Sequence, residues 1–270
     1  MKYCVSGRQP RSVLKKADEI KLQYKDRDIL FDYIKEMPDK LYIIHIPKEE
    51  VELDWTLLRA HASNVNLMLC IENLNMAQLC FENGIKYYWH YPVFTWYELN
   101  GLIDMRPAYI SLGAPLSFDL MKVKAKTNIP LRLVPNLAFD AYIPRKNGIY
   151  GSWIRPEDIK VYEEWVDVFE FVADSLSQEA TLLHVYKENG YWPGNLNLLF
   201  TNFNVNVDNR GLPEEIGETR ANCGQRCMVS SNCHFCETAV NFSNALRKKH
   251  YDDKKIIPIP TNPIEKVDFL

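Results

Sequence analysis

The sequence contains no stretch approaching the ~18 apolar residues needed to span a bilayer, and its first residues, Met1-Lys2-Tyr3-Cys4, lack the apolar run of a secretory leader. The expected compartment is therefore the cytosol, with no membrane partner. Phosphate-cradling glycine patterns are also missing. Neither Gly-x-Gly-x-x-Gly nor a Walker sequence occurs, which argues against a nucleotide-binding open sheet. Nor is there an excess of basic charge. A formal charge of -3 over 270 residues does not suit a surface that coats nucleic acid. The basic runs Lys122-Val123-Lys124-Ala125-Lys126 and Arg247-Lys248-Lys249-His250 read as solvated helix faces, leaving a local patch as the remaining route to nucleic acid.

What the chain does have is enough apolar residues, 47% of the total, for one large core. After a short strand over 1–7, an approximate repeat sets in: an apolar run, a polar break, an amphipathic stretch and another break. Strand-like runs fall at 20–24, 41–46, 66–71, 86–90, 109–112, 131–134, 168–172 and 196–200. Helix candidates lie between them at 27–36, 55–62, 75–82, 95–105, 117–126, 156–165 and 178–188. Thr95 and Ser117 are placed as N-caps, with Glu98 completing a capping box after Thr95, and Pro156 suits a first helical turn. Asn83-Gly84 ends a helix. Runs such as Leu-Tyr-Ile-Ile-His-Ile, apolar without clean alternation, indicate strands covered on both faces, and their spacing is that of parallel βαβ units. Eight units at this length predict an α/β fold, a (β/α)8 TIM-like barrel over residues 1–201. Residues 202–270 are then a C-terminal extension.

In a parallel barrel the strand C-termini form the reactive mouth. The residues that follow the runs are polar: His45, Glu72 with Asn73, His90, Ser111 with Gly113, Asn136 with Asp140, Asp174 with Ser175, and Thr201 with Asn202. Glu72 and His90 end neighbouring strands and are the catalytic acid/base candidates, because a carboxylate or imidazole there has few structural reasons to exist. His45, between two isoleucines, reads more simply as a hydrogen-bonded core residue. Arg132 sits within an apolar strand and needs a buried partner or an anionic ligand. Arg155 precedes Pro156 at a predicted helix start, where free N–H groups favour anions. With Asn136 and Asp174 these two arginines make up the substrate-binding candidates, for a small-molecule or nucleotide-like substrate.

Four of the seven cysteines lie within fourteen residues, Cys223, Cys227, Cys233 and Cys236, spaced Cys-x3-Cys-x5-Cys-x2-Cys in a segment rich in Gly, Ser and Asn. Four thiolates in a short loop suit zinc or an iron–sulfur cluster, and not magnesium or calcium. Two disulfides are the competing reading, disfavoured because disulfide scaffolds are usually short and cysteine-dense throughout. Cys4, Cys70 and Cys80, in apolar surroundings, read as buried thiols.

The stretch Gly224-Gln225-Arg226-Cys227-Met228-Val229-Ser230 resembles the Gly-[Gln/Arg]-Cys-Leu-Met-Ser signature of the collagenase-like peptidase family. That resemblance implies a barrel. It also implies, as in several members, a four-cysteine iron–sulfur centre in proteins that assist hydroxylation of a quinone precursor or of RNA. Of the four cysteines it carries over only Cys227. The expected protein is a barrel enzyme with a C-terminal Cys4 metal loop. The competing class is a non-catalytic scaffold whose cysteine tail docks a protein or nucleic acid.

Overall fold

A computed structural model of the protein describes residues 1–48, 53–64, 66–93, 95–113, 119–136, 153–200 and 207–222, together with 238, 239, 241, 243 and 245. The chain forms two compact units. One consists of Met1–Leu116, Leu120–Leu133 and Trp165–Glu170, the other of Ser117–Asp119, Val134–Glu164 and Phe171–Leu270.

The first unit holds eight parallel strands: β1 Lys2–Ser6, β2 Glu19–Gln23, β3 Leu41–Ile46, β4 Leu67–Ile71, β5 Tyr87–Trp89, β6 Ile110–Leu112, β7 Leu131–Leu133 and β8 Val168–Glu170. They run in the order β5-β4-β3-β2-β1-β8-β7-β6. An isolated parallel bridge between Tyr88 and Tyr109 links the two ends of that order, so the sheet is a nearly closed barrel. Between successive strands run α1 Arg11–Lys16, α2 Leu30–Glu36, α3 Trp55–Asn64, α4 Leu74–Glu82, α5 Trp96–Asp104 and α6 Leu120–Thr127. The expected βα rhythm is thus present, with the predicted capping box at α5. Thr95 Oγ1 accepts the Glu98 N–H at 3.2 Å, and Glu98 Oε2 accepts the Thr95 N–H at 2.9 Å.

The alternation of each strand divides its residues between two environments. Ile20, Leu22, Tyr42 and Ile44 are buried on the outer, helix-facing side, where the Tyr42 hydroxyl donates to the carbonyls of Tyr33 and Met37 at 2.8 and 2.7 Å. Inside the barrel, Cys4, Ile43, Met68, Cys70, Tyr88 and Val168 pack into one cluster. Gly7 follows β1 because a Cβ there would stand 2.3 Å from Leu22 Cδ2, a contact no side chain tolerates.

One expectation about the strands is corrected. The eighth strand is Lys2–Ser6, paired with both β2 and β8, whereas the run 196–200 contains a 3-10 helix at Leu196–Leu198. Its buried residues, Leu196, Leu199 and Phe200, recur at helical spacing, and Asn195 Oδ1 accepts the Asn197 N–H to start the turn. The helix predicted at 156–165 is likewise a 3-10 turn over Pro156–Val161.

The second unit includes α7 Leu176–His184, capped by Ser175, and α8 Ile216–Asn222. Its core is built on Trp153, which packs on Phe200 with ring centroids 5.6 Å apart and carries the Arg220 guanidinium 3.9 Å above its face. The four clustered cysteines, Ser117, Asp140, Thr201 and Asn202 lie outside the described residues.

Candidate active site

The inward positions of the strands carry the site. Along β2, Glu19, Lys21 and Gln23 all enter the barrel, two residues apart. Midway along it they meet a buried ion network. Arg132 of β7, 1% exposed, donates Nη1 to Glu19 Oε2 at 2.6 Å, and Nε and Nη2 to Glu170 Oε2 at 3.2 and 3.1 Å. Lys21 donates to Glu170 Oε1 at 2.5 Å, and the Tyr88 hydroxyl donates to Glu170 Oε2 at 3.2 Å. The Arg132 guanidinium also lies 4.4 Å from the Tyr88 ring centroid, a cation–π contact between two buried side chains. Two cations thus meet two carboxylates. Burial alone would push the Glu170 carboxyl up, but Lys21 and Arg132 outweigh it and hold the group well below the usual carboxylate range. Burial likewise opposes the Lys21 ammonium, yet Glu170 raises its pKa above the ordinary lysine value.

Toward the strand C-termini the network continues into His90, Cys70, His45 and Glu72. Lys21 Nζ stands 3.4 Å from His90 Nδ1, and Cys70 Sγ lies 3.3 Å from the same nitrogen. The His90 ring stacks on His45, centroids 4.4 Å apart and planes 29° apart. His45 Nε2 is 2.7 Å from Glu72 Oε1, and its Nδ1 is 3.0 Å from the Gln23 side-chain amide. Glu72 Oε1 is also 3.8 Å from His90 Nε2, while Glu72 Oε2 accepts the Tyr91 hydroxyl at 3.1 Å.

These contacts set the protonation states. Burial, followed by the positive charge of Lys21, lowers the pKa of both histidines, that of His90 to about 4, so both imidazoles are neutral near pH 7. Burial would raise Glu72, but hydrogen bonds from His45 and Tyr91 hold it below the ordinary carboxylate value, and it is ionised. A neutral His45 has one N–H, which the Glu72 carboxylate claims, and its Nδ1 faces Gln23 Oε1 at 3.0 Å. Burial raises the Cys70 pKa, which makes that group a thiol and not a nucleophilic thiolate.

Among the described residues one group brings metal-binding atoms together: His45, Cys70 and His90 offer ligand atoms within 4.8 Å of one another. The Lys21 ammonium already faces His90 Nδ1, and both nitrogens of His45 have partners, Glu72 on Nε2 and Gln23 on Nδ1. An ion on His90 Nδ1 would have to displace Lys21, and one on His45 would have to displace Glu72 or Gln23.

Of the predicted site residues, Glu72, His90 and Arg132 come together in the first unit. Arg132 has the buried partners that its position demanded. Asn136, Arg155 and Asp174 belong to the second unit. The Asn136 amide donates to the carbonyls of Val172 and Leu199 and accepts the Val172 N–H. Arg155, 3% exposed, spends its guanidinium on both oxygens of Asp158 at 2.7 Å, on Asn209 Oδ1 and on the Pro213 and Glu214 carbonyls. The Asp174 N–H donates to Gln178 Oε1 ahead of α7.

Sequence reasoning overlooked Lys21, Glu19, Gln23 and Glu170 and undervalued His45. A signal was there: Glu19-Ile20-Lys21-Leu22-Gln23 alternates strictly between polar and apolar residues, which in a strand covered by helices puts the polar set inside the barrel. No protein-family model matches this chain, and no curated protein matches it.

Proposed function

We propose that the protein is an enzyme that transfers a proton on a small or nucleotide-like substrate carrying a carbonyl group, at the mouth formed by the C-termini of β3, β4 and β5. The observation that carries this reading is the juxtaposition of ionised Glu72 with neutral His90, Oε1 to Nε2 3.8 Å, over a charge-balanced buried network. A carboxylate accepts a proton from carbon, while a neutral imidazole N–H polarises the adjacent carbonyl oxygen. That division of roles is a recurrent solution for carbonyl substrates. His45 and Tyr91 orient Glu72 by hydrogen bonds to its two oxygens, and Cys70 lies beneath as packing.

The test is solvent deuterium incorporation into a panel of small carbonyl compounds and nucleotides, followed by proton NMR. The wild-type protein is expected to exchange at least one of them. Glu72→Gln and His90→Gln should each lower that rate on the order of 10²–10⁴-fold, with an unchanged circular dichroism spectrum. If neither Glu72→Ala nor His90→Ala alters the protein's function in cells while folding is intact, the scaffold reading replaces this one.

We further infer that Cys223, Cys227, Cys233 and Cys236 bind a metal, a reading supported by their spacing. Four thiolates close the coordination sphere, so the ion would hold the C-terminal segment together and not attack substrate. Anaerobic purification with metal analysis distinguishes the candidates. Brown protein with broad visible absorption indicates an iron–sulfur cluster, and colourless protein with one equivalent of zinc indicates a structural site. Metal-free protein with paired cystines would refute both.

A further inference from the structure

Lys21 plays no part in the proton-transfer scheme, yet it makes a contact that decides how His90 can act. An ammonium group has three donors and no acceptor. Its approach to His90 Nδ1 at 3.4 Å is favourable only when that nitrogen is bare. A proton on Nδ1 would point at a cation. The single N–H of a neutral His90 is then on Nε2, the nitrogen turned toward Glu72. Lys21 cannot swing aside, because Glu170 Oε1 grips it at 2.5 Å and Glu170 is in turn held by Arg132 and Tyr88.

We propose that Lys21 is a positioning residue that locks His90 as the neutral Nε2–H tautomer, so that its N–H faces the same space as the Glu72 carboxylate. This rests on the proton-transfer reading for its purpose but not for its test, since a tautomer can be measured without any substrate. Every group packed around His90 bears on the outcome. Lys21 comes from β2, His45 from β3, and Cys70 and Glu72 from β4 and its end. Tyr91 follows β5, its ring centroid 5.2 Å from that of His90, and Glu170 comes from β8. The Cys70 thiol is the only other atom in this set placed on Nδ1, 3.3 Å away. A thiol sulfur can donate or accept and therefore does not choose a tautomer. The ammonium does.

The experiment is long-range 1H–15N correlation NMR of the imidazole nitrogens in 15N-labelled full-length protein near pH 7, with His90 assigned by the loss of its signals in His90→Gln. In the wild type, Nδ1 is expected at the shift of an unprotonated nitrogen and Nε2 at that of a protonated one. Lys21→Met keeps the stem and removes the donors. It should abolish the single-tautomer pattern and raise the His90 titration midpoint by about one pH unit or more, because a cation that disfavours imidazolium is gone. Lys21→Arg should restore the pattern, and Cys70→Ala should leave it as in the wild type. A wild-type His90 protonated on Nδ1 would overturn the proposal, even if Lys21→Met does not fold. So would a Lys21→Met protein that folds and keeps the wild-type pattern, or a pattern lost in Cys70→Ala instead. Should the tautomer be as proposed while no compound exchanges deuterium, the enzyme reading falls and the role of Lys21 stands.

Discussion

Two imidazoles held neutral by burial make the native state reluctant to bind protons that the unfolded chain accepts. The ordinary histidine pKa is 6.5, and both His45 and His90 lie below it in the folded protein. A lowered folded pKa contributes stability that is complete above the unfolded value and is lost as pH falls. Urea denaturation should therefore show stability declining from about pH 6.5 toward pH 4, and His90→Gln should flatten that decline. A wild-type stability independent of pH across this window would contradict the assigned protonation states. Glu170 extends the acid sensitivity to lower pH, since its pKa is also depressed. Its neutralisation removes the Lys21–Glu170 ion pair and leaves Arg132 with Glu19. We expect Glu170→Gln to destabilise the protein by about 3–5 kcal/mol, the usual result of removing one member of a buried ion pair, measured by the same denaturation at neutral pH.

The elements are held by local devices whose loss should be small and additive. Thr95→Ala removes the Oγ1 acceptor that caps α5 while leaving the bond from the backbone N–H of residue 95 to Glu98, and should cost about 1 kcal/mol. Gly7→Ala is a different case, because the new Cβ would overlap Leu22, a side chain 1% exposed in β2. Overpacking of this kind costs about 1–3 kcal/mol, and thermal denaturation of the two variants should rank Gly7→Ala as the more damaging. The α5 cap was legible in the sequence because the Thr95 hydroxyl and Glu98 lie three residues apart and need no distant partner. The end of α4 was legible too, at Gly84, whose φ of +66° suits glycine. Less legible was the 3-10 turn at Leu196–Leu198. Five apolar-leaning residues in a row fit a strand, and the choice between strand and turn depended on whether a neighbouring strand existed to pair with it. The polar alternation of β2 carried its own message, but Ile20 and Leu22 drew the eye to an apolar run.

At the scale of the molecule, the pairing of β5 with β6 is thinner than that of β3 with β4 among the described residues. Between β5 and β6 the described backbone bonds are few: the Ala108 N–H to the Tyr87 carbonyl, the Val93 N–H to the Ser111 carbonyl, and the Gly113 N–H to the Val93 carbonyl. Strands β3 and β4, by contrast, pair continuously from Tyr42–Leu67 to Ile46–Ile71. Local opening follows such differences. Native-state hydrogen exchange is expected to be faster at Ala108, Val93 and Gly113 than in β3 and β4, and equal protection would mean the barrel is more fully closed than its pairing indicates. By itself the sequence determined the βα rhythm, the parallel strands, the main helix starts and the polar strand ends Glu72 and His90, because each depends on residues close together in the chain. Only the tertiary structure decided which strand completes the barrel and which charges meet inside it. Arg132 finds Glu19 across 113 residues and Lys21 finds Glu170 across 149, and such partners become neighbours only when the sheet curls round and encloses them.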